Sequence, residues 1–230
     1  LLAQMVDKHC DAAVMEVSSH ALHQHRVDGI HFRAAVFTNL TQDHLDYHGS
    51  MEEYFKAKRT LFESLDNSAY AIINIDDAWG EKMLNVSSTK KISYGSSTNA
   101  DVYAQNISLS MDKTSFAVVH HGEETQLESS LIGRFNVSNI LAAFSTGIAL
   151  GIPKPIMQDA VHSMPAVRGR FEQIVASQGW TAVIDYAHTP DALLKALMAI
   201  RDIFDSTTRG KLITVFGCGG NRDRTKRPKM

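Results

Sequence analysis

The chain has 230 residues, 44% of them hydrophobic, with 23 basic and 25 acidic side chains and a formal charge of -2. That length can bury a substantial core in one large domain or two smaller ones, and the near balance of charge leaves no global field to draw the molecule to nucleic acid or an anionic membrane. Two widely separated cysteines, Cys10 and Cys218, form neither a zinc motif nor a disulfide framework, so a reducing cytoplasm is the expected compartment.

Leu1 to Lys8 reads as a helix, followed by strands at Ala12 to Val17 and Ala34 to Asn39, a helix from Ser50 to Leu65 and a strand at Tyr70 to Ile75. This alternation predicts a parallel sheet covered by helices. Between Lys91 and Leu131, short alternating segments separated by turn residues predict a small antiparallel β insertion. A helix from Asn136 to Leu150 stops at Gly151 and Pro153, and a second covers Pro155 to Ser163. After Pro165 the pattern restarts as strand (Phe171 to Ala176), strand (Thr181 to Tyr186), helix (Pro190 to Phe204), strand (Lys211 to Phe216) and glycine-rich loop. The restart places a domain boundary near residues 165 to 170. The longest apolar runs, Ala69 to Ile75 and Ile140 to Ala149, are too short to span a membrane.

Histidine is concentrated at the front: His20, His23, His25, His31, His44 and His48. Taken singly, each reads as a surface or supporting histidine. Position singles out His44, which follows the predicted strand Ala34 to Asn39, and Glu16, which closes the one before it. Strand carboxyl ends are where open α/β sheets gather ligands, so the two form a candidate cation pair.

In the segment Met51 to Leu65, Met51, Tyr54, Phe55, Leu61, Phe62 and Leu65 make one apolar stripe, and Lys58 falls on it. An inward lysine either snorkels or pairs with a carboxylate, or it serves chemistry. The chemical options are contact with phosphate or carbamylation by CO2, which converts the ammonium into an oxygen ligand suited to Mg²⁺.

Gly133-Arg134-Phe135-Asn136-Val137-Ser138-Asn139 precedes a helix, where an asparagine can cap or present its amide to a base. Arg168-Gly169-Arg170-Phe171-Glu172 and Asp185-Tyr186-Ala187-His188-Thr189-Pro190 lie at and after the predicted boundary, as suits a nucleotide bound in a cleft. The run FGCGGNRDRTKRPKM places glycines and basic side chains where backbone amides can meet an anion. It carries neither a GxGxxG fingerprint nor GKS or GKT, so no NAD site or phosphate-cradling loop follows from it.

Six ordered strings, MEVSSHALHQHRV, FTNLTQDHLDYHGSMEEYFKAK, GRFNVSN, RGRFE, VIDYAHTPDAL and FGCGGNRDRTKRP, together resemble the Mur ligases. They are most similar to the members that add the third residue of the peptidoglycan stem peptide. The resemblance implies a P-loop-ATPase-like central domain over residues 1–167, a parallel sheet flanked by helices with a small antiparallel insertion. The start of a Rossmann-like C-terminal domain over residues 168–230 would follow. It implies magnesium-site residues at Glu16, His44 and Lys58, with Lys58 carbamylated. Ser18, Gln24 and Arg26 match positions that hold UDP-N-acetylmuramoyl-L-Ala-D-Glu; Asn139, Arg170, Asp185 and His188 match contacts to ATP; Arg222 matches a residue that meets the incoming meso-diaminopimelate or L-lysine. The family's GTNGKT phosphate loop is expected before Leu1 and its DNPR motif after Met230, so this stretch alone is expected not to turn over ATP. Three other readings stay open: a related ligase such as a folate polyglutamate or other Mur enzyme, a histidine-rich metallohydrolase that needs no ATP, and a non-catalytic binding module.

Overall fold

The computed structural model describes residues 1–86, 89–207, 210–218 and 224–230. A short helix, α1 (Leu2–Asp7), and a one-turn helix, α2 (Ser19–His23), precede the sheet. The parallel part is built from β1 (Ala34–Phe37), β2 (Tyr70–Asn74) and β3 (Lys90–Gly95). Helices α3 (Leu45–His48) and α4 (Met51–Glu63) lie between β1 and β2, and α5 (Gly80–Leu84) between β2 and β3. Strands β4 (Val102–Leu109), β5 (Thr114–His120) and β6 (Glu123–Ser129) extend the same sheet, in spatial order β1 to β6.

The predicted antiparallel insertion therefore begins later than the sequence pattern implies. β3 runs parallel to β2, with Tyr70 opposite Lys90, and β4 joins β3 in parallel at Tyr94 opposite Val102. Only β4 to β6 form an antiparallel meander. Alternation within a strand reports which face is buried, and it carries no information on partner direction.

β2 reads as a continuous apolar run because both of its faces are covered. Ile72 joins Val137, Ile140, Leu141 and Phe144 of α6 (Arg134–Ala149) on one side. Ala71 and Ile73 join Tyr54, Phe55 and Phe62 of α4 on the other. Ser50 caps α4 by accepting from the Glu53 N–H at 3.2 Å. Helix α6 starts at Arg134, so Asn136 is not its cap; it lies buried within the first turn and donates from Nδ2 to the Ile132 carbonyl at 2.9 Å.

After α7 (Lys154–Ser163), β7 (Glu172–Val175) and β8 (Thr181–Ile184) form an antiparallel hairpin followed by α8 (Pro190–Thr207). A third apolar cluster, Ile132, Phe171, Ala199 and Ile203, locks this hairpin and helix against the base of α6. Two expected strands are absent among the described residues. Ala12 to Val17 and Lys211 to Phe216 adopt no strand pairing, and Val14 and Val215 are 99% and 92% exposed. An apolar run becomes a strand only when another edge satisfies its backbone groups, and neither run meets one here. No helix among the described residues is long and apolar enough to cross a membrane.

Candidate active site

The carboxyl end of β1 opens into residues 38–44, and this segment delivers His44 to the N-terminus of α3 in a left-handed conformation, φ 56°. Four imidazoles and two phenols gather there. The His20 ring lies 4.8 Å from His44 and 4.1 Å from Tyr47; His48 stacks on Tyr54 at 5.0 Å. His23 Nδ1 bonds the Tyr47 hydroxyl at 2.8 Å, and His48 Nε2 bonds the buried Ser19 hydroxyl at 2.8 Å. Burial, reinforced by the neighbouring imidazoles of His20, His23 and His44, pushes the His48 pKa below its ordinary value. These rings pack against one another. Among the described residues no three His, Cys, Asp or Glu side chains are placed to hold a metal ion.

Tyr54 is the hinge of the arrangement. Its ring lies 6.0 Å from that of His44, and the Lys58 ammonium sits over it at 5.4 Å, one helical turn further on. Burial, with help from Asp43, raises the Tyr54 pKa to about 12, so its hydroxyl stays protonated. Lys58 is half-buried and lines a pocket with Val17, Leu22, Thr38, Asn39 and Phe62 at the end of β1. Burial lowers the Lys58 pKa, and the opposing charge that partly restores it is Glu16. Glu16 lies on exposed chain outside any strand rather than at a strand end. The Lys58 ammonium and the His44 ring thus both neighbour the Tyr54 ring, and the Glu16 charge acts on Lys58.

A lowered lysine pKa means that the folded state binds its proton less readily than the unfolded chain does. The resulting penalty is present below the folded pKa and fades as pH rises towards the unfolded value. Glu16→Gln removes the charge that opposes this shift, so the Lys58 Nζ titration is expected to move to lower pH. NMR of the labelled lysine amine measures it, and a midpoint that stays put or rises would separate the two groups.

The second group of expected residues lies at the hairpin. Asp185 accepts from the Phe171 N–H at 2.9 Å and the Ala187 N–H at 2.8 Å. The Arg170 guanidinium lies 4.8 Å over the Tyr186 ring, which lies 4.9 Å from His188. His188 in turn comes within 3.9 Å of Asp43, so this cluster and the His44 segment face each other. Asn139, exposed on α6, donates to Asn136 Oδ1 at 3.1 Å. Ser18 caps α2, its hydroxyl accepting from the Ala21 N–H at 3.1 Å, while Gln24 and Arg26 are exposed just beyond that helix. Arg222 lies outside the described residues. Sequence reasoning missed Tyr54, taken only as part of the apolar stripe, and Asp43, which no periodicity marks. It also passed over the run Asn74-Ile75-Asp76-Asp77, whose polar residues directly after a buried strand were a readable signal.

A six-stranded, mostly parallel sheet with its polar cluster at the strand carboxyl ends defines a nucleotide-type α/β protein. The Mur ligase middle domain matches residues 1–147 and the Mur ligase glutamate ligase domain matches residues 169–230. The chain belongs to the Mur ligase family. It is 47% identical over 233 residues to a "UDP-N-acetylmuramoyl-L-alanyl-D-glutamate--2,6-diaminopimelate ligase" of Bacillus velezensis, with 99% of this chain and 47% of that protein covered. The ligase of the same name from Clostridium botulinum is 42% identical over 100% of this chain and 47% of its own length. The chain thus spans about half the length of the curated relatives it matches. A solved structure bearing that ligase's name superposes with a TM-score of 0.69 at 37% identity, covering 94% of this chain and 44% of that one. The MurF ligase of Thermotoga maritima in complex with ADP shares the fold, at a TM-score of 0.65 and 17% identity over 80% of this chain and 42% of that one.

Proposed function

We propose that this chain is the central domain and the first part of the C-terminal domain, residues 1–167 and 168–230, of a ligase in the cytoplasm. The full-length enzyme joins meso-diaminopimelate to UDP-N-acetylmuramoyl-L-Ala-D-Glu at the expense of ATP. The observation that supports the reading is that Lys58 and His44 both neighbour the Tyr54 ring, Lys58 in a pocket at the carboxyl end of β1, with Glu16 as the charge that opposes the lowering of the Lys58 pKa. The choice of diaminopimelate over lysine rests on the names of the relatives.

The donor chemistry fits magnesium once Lys58 is carbamylated. Its amine, with a pKa lowered by burial, is more readily the neutral nucleophile that CO2 requires. A carbamate at Lys58 would supply oxygen ligands alongside the Glu16 carboxylate and the His44 imidazole, and these three residues would hold the ion. Bound there, Mg²⁺ would offset the charge of the phosphates beside the substrate carboxylate. Arg170, Asp185, His188 and Asn139 hold ATP; Ser18, Gln24 and Arg26 hold the muramoyl dipeptide; Arg222 meets the incoming amino acid. A carboxylate oxygen of the D-glutamate residue attacks the γ-phosphorus and ADP leaves, giving an acyl phosphate. The amine of diaminopimelate then attacks the acyl carbon, and inorganic phosphate departs with the C–O bond while the amine loses its proton. Alignment and charge neutralisation supply the rate, and no protein nucleophile is needed.

In the full-length protein, ADP release is expected only when the muramoyl dipeptide is present, and sustained turnover only when diaminopimelate is added as well. Chromatography of the tripeptide product reads the outcome. Turnover with folate and glutamate instead, or zinc-dependent hydrolysis without ATP, would overturn the assignment.

A further inference from the structure

We infer that Asn74 and Asp77 are positioning residues for the segment that carries Asp43 and His44; this rests on the ligase reading above. β1 ends at Phe37, and the backbone then has to leave the sheet without neighbouring strand partners. Three of its next polar groups are taken by side chains from the ends of β2 and β3. The Phe37 carbonyl accepts from the Tyr94 hydroxyl at 3.3 Å, the Thr38 carbonyl from Asn74 Nδ2 at 2.7 Å, and the Leu40 N–H donates to Asp77 Oδ2 at 3.0 Å. Leu40 itself is buried in the core of α4 and β2, so the exit path is pinned by its side chain and by its backbone.

The supporting side is equally constrained. Asn74 is buried and uses both ends of its amide, Oδ1 accepting from the Asp76 N–H at 3.0 Å. The second oxygen of Asp77 accepts from the Trp79 N–H at 2.9 Å. At Gly80 an added Cβ would lie 2.1 Å from the Asn74 carbonyl oxygen, so only glycine lets α5 start this close to the end of β2. Asp76, between them, faces the other way, its carboxylate taking the Ser96 N–H and hydroxyl at the end of β3. The run from Asn74 to Gly80 thus forms a rigid bracket, and two of its side chains reach across to the segment four to six residues before His44. Buried backbone groups need partners in any fold; what points to positioning is that both bonds hold the same short path to one candidate ligand.

Asn74→Asp in the full-length protein is the sharpest test. It replaces the Nδ2 donor by an oxygen and keeps the acceptor for Asp76. Amide hydrogen exchange over residues 38–48 is expected to speed up about tenfold or more while β5 stays protected. Turnover per folded molecule should fall about 10- to 100-fold, with half-activation needing more Mg²⁺. Asp76→Asn, which does not touch the segment, should leave exchange at 38–48 as in the parent. Uniform acceleration across the sheet, or unchanged exchange at 38–48, would overturn the inference in favour of a purely structural bond. If Asn74→Asp does not fold, Asp77→Asn, which keeps one carbonyl acceptor, must show the same local pattern. His44→Ala separates the two layers: full activity in that variant sinks the ligase site, whereas the exchange pattern of Asn74→Asp still decides the bracket.

Discussion

Lys58→Ala in the full-length protein is expected to lower ligase turnover about 100- to 1000-fold, the scale of losing one group that stabilises developing charge in a water-poor site. The amine is half-buried above Tyr54 with Glu16 as its opposing charge, so its removal costs little packing and leaves the fold intact. A coupled assay of ADP release measures the loss, and unchanged thermal unfolding shows that it is local. Two further variants separate the roles left open by the sequence. A lysine acting as a cation towards phosphate is partly replaced by arginine, whereas a lysine acting as a carbamate is not. Lys58→Arg is therefore expected to be as inactive as Lys58→Ala, and millimolar acetate or propionate to restore part of the alanine variant's activity. Near-parental turnover in Lys58→Arg would assign the residue to phosphate contact instead.

Asp185→Ala is expected to damage both stability and nucleotide use. Its carboxylate accepts two backbone N–H groups, one of them from Phe171, a buried aromatic residue held at φ 51°. Positive φ is unfavourable for a bulky side chain and persists only where surrounding contacts over-determine it. Here those contacts are the Asp185 bond and the packing of Phe171 against Phe135, Ile132 and Ala199. Removing the carboxylate leaves the part-buried Phe171 N–H without its acceptor, a cost of about 1 kcal/mol measurable by urea unfolding, while the exposed Ala187 N–H turns to water. The same change frees Arg170 and the chain leading to His188. The KM for ATP is therefore expected to rise about tenfold or more with kcat reduced as well. A variant that loses stability while keeping the parental KM for ATP would confine Asp185 to a structural role.

How much of this was legible beforehand differs element by element. The stripe Tyr54, Phe55 and Phe62, and the buried run of β2, were readable because helix and strand periodicity are local properties of the chain. So was the inward aim of Lys58, since a residue at position i+4 from Tyr54 must share its face. The runs Ala12 to Val17 and Lys211 to Phe216 misled for the converse reason: apolar alternation shows what a strand would bury and nothing about whether an edge is waiting for it. The parallel pairing of β3 was likewise invisible, because strand direction is a relation between two segments.

The linear order of residues determined the family, the α/β plan and the identity of the chemical groups, since motifs and periodicities survive without coordinates. Tertiary structure alone decided which of those groups meet. It brought the Glu16 charge to bear on Lys58, turned four of the six front histidines into a packed ring cluster, and bonded Asn139 to Asn136. It also put Asn74 and Asp77 across the exit from β1. The physical reason is that each of these meetings joins residues of different elements, and the sheet order and the crossings between strands place those elements side by side.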